Sequence, residues 1–208
     1  MITFIHIGKC GGETVHYYLK SKINSIHCRP VIFDSNQKYL LLLRNPIERF
    51  ISSFYWRRFL LLSGQKSLTK ELEFHKEYPN LNTLCENLFD EHGHLNLLTD
   101  SKIHQHYPCG HPTHIGMGID YYIGGIVKQL NPENVIGTIC TETLSQDMQR
   151  LFGIKVTKHF KKNSANKIET TPQSRSILKR YLIKDYQCIE QLYLSNILSE
   201  DQYNILKV

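Results

Sequence analysis

Five consecutive apolar residues, Tyr39–Leu43 ("YLLLL"), run directly into Arg44, Asn45 and Pro46. A strand-length run without polar alternation must be covered on both faces, which is the situation of a strand inside a parallel sheet. Pro46 suits the first turn of a helix, and the pattern from Ile47 to about Leu62 is helical. The start of the chain repeats this arrangement. Thr3–Ile7 reads as a short buried strand, Gly11 and Gly12 as a turn, and Glu13–Lys22 as a helix with Val15, Tyr18, Leu19 and Lys22 on one face. Strand, helix, strand, helix in this order implies crossover connections. The expected fold is therefore α/β: a P-loop-like central parallel sheet flanked by helices.

The remaining elements are read in less detail. Val31–Phe33 is a short apolar run ended by the turn formers Asp34, Ser35 and Asn36. Ser67–Glu77, Leu81–Glu91 and Leu95–Gln105 look helical, and Asp120–Leu130 is a helix or a strand-turn segment. "NVIGTIC" reads as a strand, followed by a helix over Thr143–Phe152 with Thr141 or Thr143 as its cap. The chain from about Pro172 onward is helical. No repeat or linker divides the 208 residues, so a single domain over 1–208 is expected.

Composition narrows the partners. The formal net charge of +6 suits an anion: a nucleotide, an acidic glycan or a nucleic acid. No apolar stretch approaches the roughly 20 residues of a membrane span. With no charged leader ahead of Ile2, a cytoplasmic location is expected, the Golgi lumen being the alternative for a truncated chain. The six cysteines contain no C-x-x-C pair and read as free thiols.

The chemistry concentrates at two strand ends. In "GKCGGET", a Gly-rich turn meets a helix N-terminus, where backbone N–H groups and the helix dipole favour an anion. Gly11 and Gly12 permit close approach, Thr14 offers a hydroxyl, and Lys9 adds an ammonium. Because the lysine precedes the glycines, this is not the nucleoside-triphosphate loop G-x-x-x-x-G-K-[ST]. Cys10 stands where a helix N-terminus could lower its pKa, but the arginine of a phosphatase loop is missing. In "RNPIERFISS", Arg44 offers a planar fork for phosphate, and Ser52 lies about two helical turns into the following helix. Ser53 reads as an ordinary helix residue, and Glu48 with Arg49 as surface charges. Two anion-binding strand ends in one sheet suit a ligand with two phosphate groups.

The pair "HIGKCGGET" and "RNPIERFISSFY" resembles the two signatures of sulfotransferases that use 3′-phosphoadenosine 5′-phosphosulfate (PAPS). The likeness is greatest to the carbohydrate branch, notably heparan sulfate 2-O-sulfotransferases. It covers about the first sixty residues, with weaker echoes in "YPCGH", "KHFKKNS" and "LIKDYQCIEQLY". The resemblance implies a 5′-phosphosulfate loop at Lys9, Cys10, Gly11, Gly12, Glu13 and Thr14. It implies a 3′-phosphate site at Arg44 and Ser52, closed over by Lys161 and Lys162 of the later basic loop. It also implies transfer to a saccharide or another hydroxylated acceptor, acidic character being compatible with the basic chain, with PAPS as co-substrate and no metal, nucleic acid or membrane span.

Sulfuryl transfer needs a charge partner for the leaving phosphate, for which Lys9 is the candidate, and a base for the acceptor hydroxyl. His27 in "SIHCRPVIFD" is the leading candidate base, with Glu13 a weaker one. The 2-O-sulfotransferases carry a second histidine two residues on, where this chain has Arg29; on a continuing strand Arg29 would share a face with His27 and steer an acidic acceptor. The cluster His104, His106, Cys109, His111 and His114 does not match a common zinc spacing. Its place matches the family's Cys-Gly-His segment, so His111 is read as substrate-side. Two rivals remain: a nucleotide- or glycan-binding protein that kept the loops without the base, and, less favoured, a P-loop kinase.

Overall fold

A computed structural model describes residues 1–65, 68–104, 114–160 and 168–208. Four strands form one all-parallel sheet in the order β2-β1-β3-β4. They are β1 (Ile2–His6), β2 (Ile23–Ile26), β3 (Lys38–Leu43) and β4 (Val135–Cys140). Phe4 lies level with Leu40 and Ile5 with Leu41, while Leu42 on the other side of β3 pairs with Ile139. These side chains are all fully buried, as the unbroken apolar run of β3 requires.

The strand order reverses direction at β1 and β3. From β1 the chain passes through α1 (Gly12–Leu19) to β2 on one side. It then returns to β3 on the other side of β1 and proceeds through α2 (Pro46–Leu62) toward β4. Outside the carboxyl ends of two such strands lies the crevice where open α/β sheets take their ligands.

Further helices flank this frame. Between β3 and β4 lie α3 (Thr69–Glu77), α4 (Leu81–Glu86), α5 (Leu97–Ile103) and α6 (Ile119–Ile123). After β4 come α7 (Leu144–Phe152), α8 (Pro172–Tyr181), α9 (Ile183–Leu194) and α10 (Glu200–Lys207). One apolar cluster surrounds the sheet, including Phe4, Val15, Leu41, Met148 and Ile189. A second lies against α2, with Phe50, Phe54, Phe74, Leu81 and Leu178. The result is a single α/β domain. No helix among the described residues is long and apolar enough to cross a membrane.

Several expectations are corrected. β2 is Ile23–Ile26, a stretch the sequence reading left unassigned, while the apolar run Val31–Phe33 lies off the sheet. Cys28 takes a left-handed φ of 58° and Pro30 follows, so the chain turns away from the sheet. Val31 is held instead by donating its N–H to the Tyr122 carbonyl at 2.9 Å. α1 ends at Leu19, leaving Lys22 in the turn that leads to β2. Asp120–Leu130 resolves into α6 and a 3-10 turn at Val127–Gln129.

Arg49 is not a surface charge. It is completely buried on α2, and its guanidinium donates from Nη1 to the His114 carbonyl (3.2 Å) and from Nη2 to that of Ile115 (3.1 Å). Glu48 does face outward, paired with Arg175 at 2.8 Å.

Candidate active site

The strand ends enclose a cavity of about 520 Å3, within the range of small-ligand sites. Every strand contributes to it: His6 with Gly8, Lys9, Gly11, Gly12, Glu13 and Thr14 at and beyond the end of β1, His27 after β2, Arg44 after β3 and Thr141 after β4. Ser52 and Trp56 reach it from α2, His114 from the chain before α6, and His159 with Phe160 from the segment after α7.

The first loop is built by backbone geometry. Gly11, at the N-cap of α1, has φ 85°, and Lys9 has φ 70° although it carries a side chain. A non-glycine residue held in the left-handed region costs stability and is found preferentially at functional sites. Among the described residues no side chain caps α1, so its first turn opens toward the cavity that Gly11, Gly12 and Glu13 line. Gly12 has a second role: a Cβ there would overlap the His6 imidazole, so only glycine lets that ring lie over the helix start.

Cys10 is corrected. Its side chain is fully buried, points into the core and does not line the cavity. Burial pushes its thiol up to about 12, against the lowering effect of the Arg49 and Arg44 charges. It is therefore neither a thiolate nor a side-chain ligand. Its contribution is a backbone carbonyl, which accepts from Thr141 Oγ1 at 2.7 Å and ties the loop to the end of β4. Thr141 thus joins strand ends rather than capping α7, while Thr143 occupies the cap position and donates to Asp147 at 2.8 Å.

Arg44 and Lys9 come together across the switch point. Arg44 Nη1 donates to the Lys9 carbonyl at 3.0 Å, and Arg44 Nε is buried with no hydrogen-bond partner among the described residues. A buried guanidinium N–H without an acceptor is costly, and an anion in the adjoining cavity would satisfy it. Ser52 is nearly buried and lines the same space. The Lys9 ammonium lies over the Trp56 ring, 4.5 Å from its centre. Thr14 keeps its place, with one modification: its hydroxyl oxygen accepts from Phe160 N–H at 3.1 Å, which straps the later segment across α1 while leaving the hydroxyl proton to donate.

His27 stands just beyond β2. Its Nδ1 lies 2.8 Å from the His6 carbonyl oxygen, which can only accept. Nδ1 therefore carries a proton, and in the neutral ring Nε2 holds the free lone pair. The His27 ring stacks on His6 at 4.1 Å and meets His114 edge-on at 5.7 Å. Burial, aided by the His27 and Arg57 charges, pushes the His114 imidazole down to about 3, so it stays neutral at ordinary pH.

Arg29 does not join this group. The left-handed turn at Cys28 ends the strand geometry that would have aligned it with His27, and Arg29 is exposed and outside the cavity lining. Glu13 is exposed at the cavity rim. Lys161, Lys162 and His111 lie outside the described residues, as do His106 and Cys109; the preceding His159 and Phe160 do line the cavity.

Several lining residues have no site role in the sequence reading, among them His6, Trp56, Thr141, Leu144 and, as a partner of His27, His114. Trp56 carried a usable signal, since it follows Ser52 by one helical turn on the same face of α2. The two histidines carried none, because their proximity to His27 comes from strand pairing and from the Arg49 anchor on the His114 carbonyl.

Comparison with protein families, with curated proteins and with solved structures finds no match to this chain.

Proposed function

We propose that the protein transfers the sulfuryl group of PAPS to a hydroxyl of a saccharide or another hydroxylated acceptor. The observation that supports this most is the convergence of two cationic strand ends and a histidine on one cavity: Lys9 with the Gly11–Gly12 turn, Arg44 with Ser52, and His27. The carbohydrate acceptor itself rests on the resemblance of the two loops to the sulfotransferase signatures.

In this reading the 5′ end of the nucleotide lies at the start of α1, and Thr14 donates to it. Arg44 Nε and Ser52 hold the 3′-phosphate. The acceptor oxygen attacks sulfur in line with the leaving phosphate oxygen. The new O–S bond forms as the old one breaks, and the acceptor proton passes to His27 Nε2. The Lys9 ammonium meets the charge that develops on the leaving phosphate. Holding the reactants in line supplies much of the acceleration, because no covalent intermediate is needed.

Calorimetry with adenosine 3′,5′-bisphosphate and with AMP tests the reading. The bisphosphate is expected to bind far more tightly, and equal affinities would overturn the assignment. Labelled PAPS offered with a panel of saccharide and small hydroxylated acceptors then tests turnover.

A further inference from the structure

Cys28 follows His27 directly, and its position is set by the left-handed backbone and by its N–H donating to Tyr122 Oη at 3.2 Å. One ring nitrogen from His27, one from His114 and the Cys28 sulfur all lie within 4.8 Å of one another. Two histidines and a thiol are a donor set for zinc and its soft neighbours, and three protein ligands leave a fourth position open.

Two independent features favour this reading over a chance cluster. Histidines that bind metals commonly donate their other N–H to a carbonyl, which fixes the ring and its tautomer. His27 already does so through Nδ1 to the His6 carbonyl, leaving Nε2 for the ion. His114 Nδ1 is buried with no hydrogen-bond partner among the described residues, a polar atom whose cost a metal ion would offset. Its backbone is anchored by the Arg49 and Ser53 bonds to its own carbonyl. Zinc bonds of about 2.0–2.3 Å would draw the three donors together by roughly 1 Å each, within the range of side-chain rotation.

We propose that His27, Cys28 and His114 form a binding site for a soft divalent cation of the Zn2+ class, whose occupancy switches the enzyme off. Binding displaces the Cys28 thiol proton to solvent and forms a metal–thiolate bond. It also takes up the Nε2 lone pair on which proton abstraction depends. The inhibitory consequence rests on the sulfuryl-transfer reading; the binding does not.

The test uses the untagged full chain, reduced and stripped with chelator, titrated with Co2+ and then with Zn2+. The expected result is one equivalent of Co2+ with a thiolate-to-cobalt charge-transfer band, bleached by Zn2+. Cys28→Ser is expected to abolish the band and weaken Zn2+ binding by more than about a hundredfold, beyond the loss of a mere outer-sphere contact. His114→Gln is a second variant with the same expected loss of Zn2+ affinity. With PAPS and an acceptor, Zn2+ is expected to inhibit the wild type, chelator to restore it, and Cys28→Ser to turn over normally with or without Zn2+. Absence of the band, or a band that survives Cys28→Ser and so belongs to another thiol, would overturn the site. The metal titrations need neither nucleotide nor acceptor, so their failure is distinct from failure of the bisphosphate test.

Discussion

The guanidinium of Arg44, at the end of β3, donates to the backbone oxygen of Lys9, at the end of β1, across 3.0 Å. The bond joins the two loops at the point where the sheet reverses direction, and the buried Nε of the same side chain has no hydrogen-bond partner among the described residues. Arg44→Ala should therefore remove the fork for one phosphate. The affinity for adenosine 3′,5′-bisphosphate is expected to fall by about tenfold to a hundredfold, the weight of a charge-assisted hydrogen bond, with AMP nearly unaffected. Calorimetry showing both nucleotides weakened alike would make Arg44 a brace for the loop only.

Lys9 adopts φ 70° and lies over Trp56, which aims its ammonium along the cavity wall. Lys9→Ala should lower turnover by about a hundredfold to a thousandfold, as for other lost donors to a developing oxyanion, while nucleotide affinity changes much less. Steady-state kinetics beside calorimetry measures the split. Weakened binding with full turnover would contradict the assigned role.

His27→Gln keeps an amide N–H able to reach the His6 carbonyl but offers no basic nitrogen. Turnover is expected to drop by roughly a hundredfold to ten-thousandfold, the range for loss of a general base, with bisphosphate affinity kept. A variant of near-normal turnover would direct attention to Glu13.

Trp56 is the sole tryptophan of the chain, and it lines the cavity. Drawing the Lys9 ammonium away from its ring toward a phosphate should change the indole emission. A saturable fluorescence change on titration with adenosine 3′,5′-bisphosphate is expected, absent in Trp56→Phe. A flat titration of a chain that binds by calorimetry would locate the nucleotide elsewhere.

His75 is completely buried, its edges against Phe54 (4.9 Å) and Phe74 (5.1 Å), and neither ring nitrogen has a hydrogen-bond partner among the described residues. Burial, with the Arg58 and Arg57 charges, pushes its pKa down to about 3 from an ordinary 6.5. Between those values the unfolded chain binds a proton that the folded chain refuses. Its contribution to stability is thus present above pH 6.5 and lost as the pH falls toward 3. His75→Phe should flatten that acid limb and raise stability at neutral pH by about 1–3 kcal/mol, the cost of burying unpaired polar groups. Urea unfolding at several pH values provides the check. An unchanged acid slope would mean that His75 titrates normally.

Local chemistry along the chain was enough to outline the sheet and the two loops. The apolar run of β3, the Pro46 start of α2 and the Gly11 turn depend on neighbours a few residues away, and burial periodicity and φ preferences act at that range. β2 was not legible because "INSI" is a half-polar edge strand, defined by its pairing with β1 rather than by its own pattern. "VIF" looked more like a strand, but the turn at Cys28 and Pro30 carries it off the sheet.

The grouping of His6, His27 and His114, the burial of Arg49 and the inward turn of Cys10 belong to the tertiary structure alone. Arg49 looks like any charged residue of a helix until two backbone carbonyls, 65 and 66 positions away, claim its guanidinium. Cys10 follows Lys9 in a loop beyond the end of β1, and the left-handed backbone at Lys9 turns the thiol into the core while the lysine side chain lies over Trp56. The sequence alone determined which residues carry anion-compatible chemistry, because that depends on side-chain type and local turn geometry. Which of them share a cavity was decided by parallel strand pairing, because it brings together chain segments that no local preference connects.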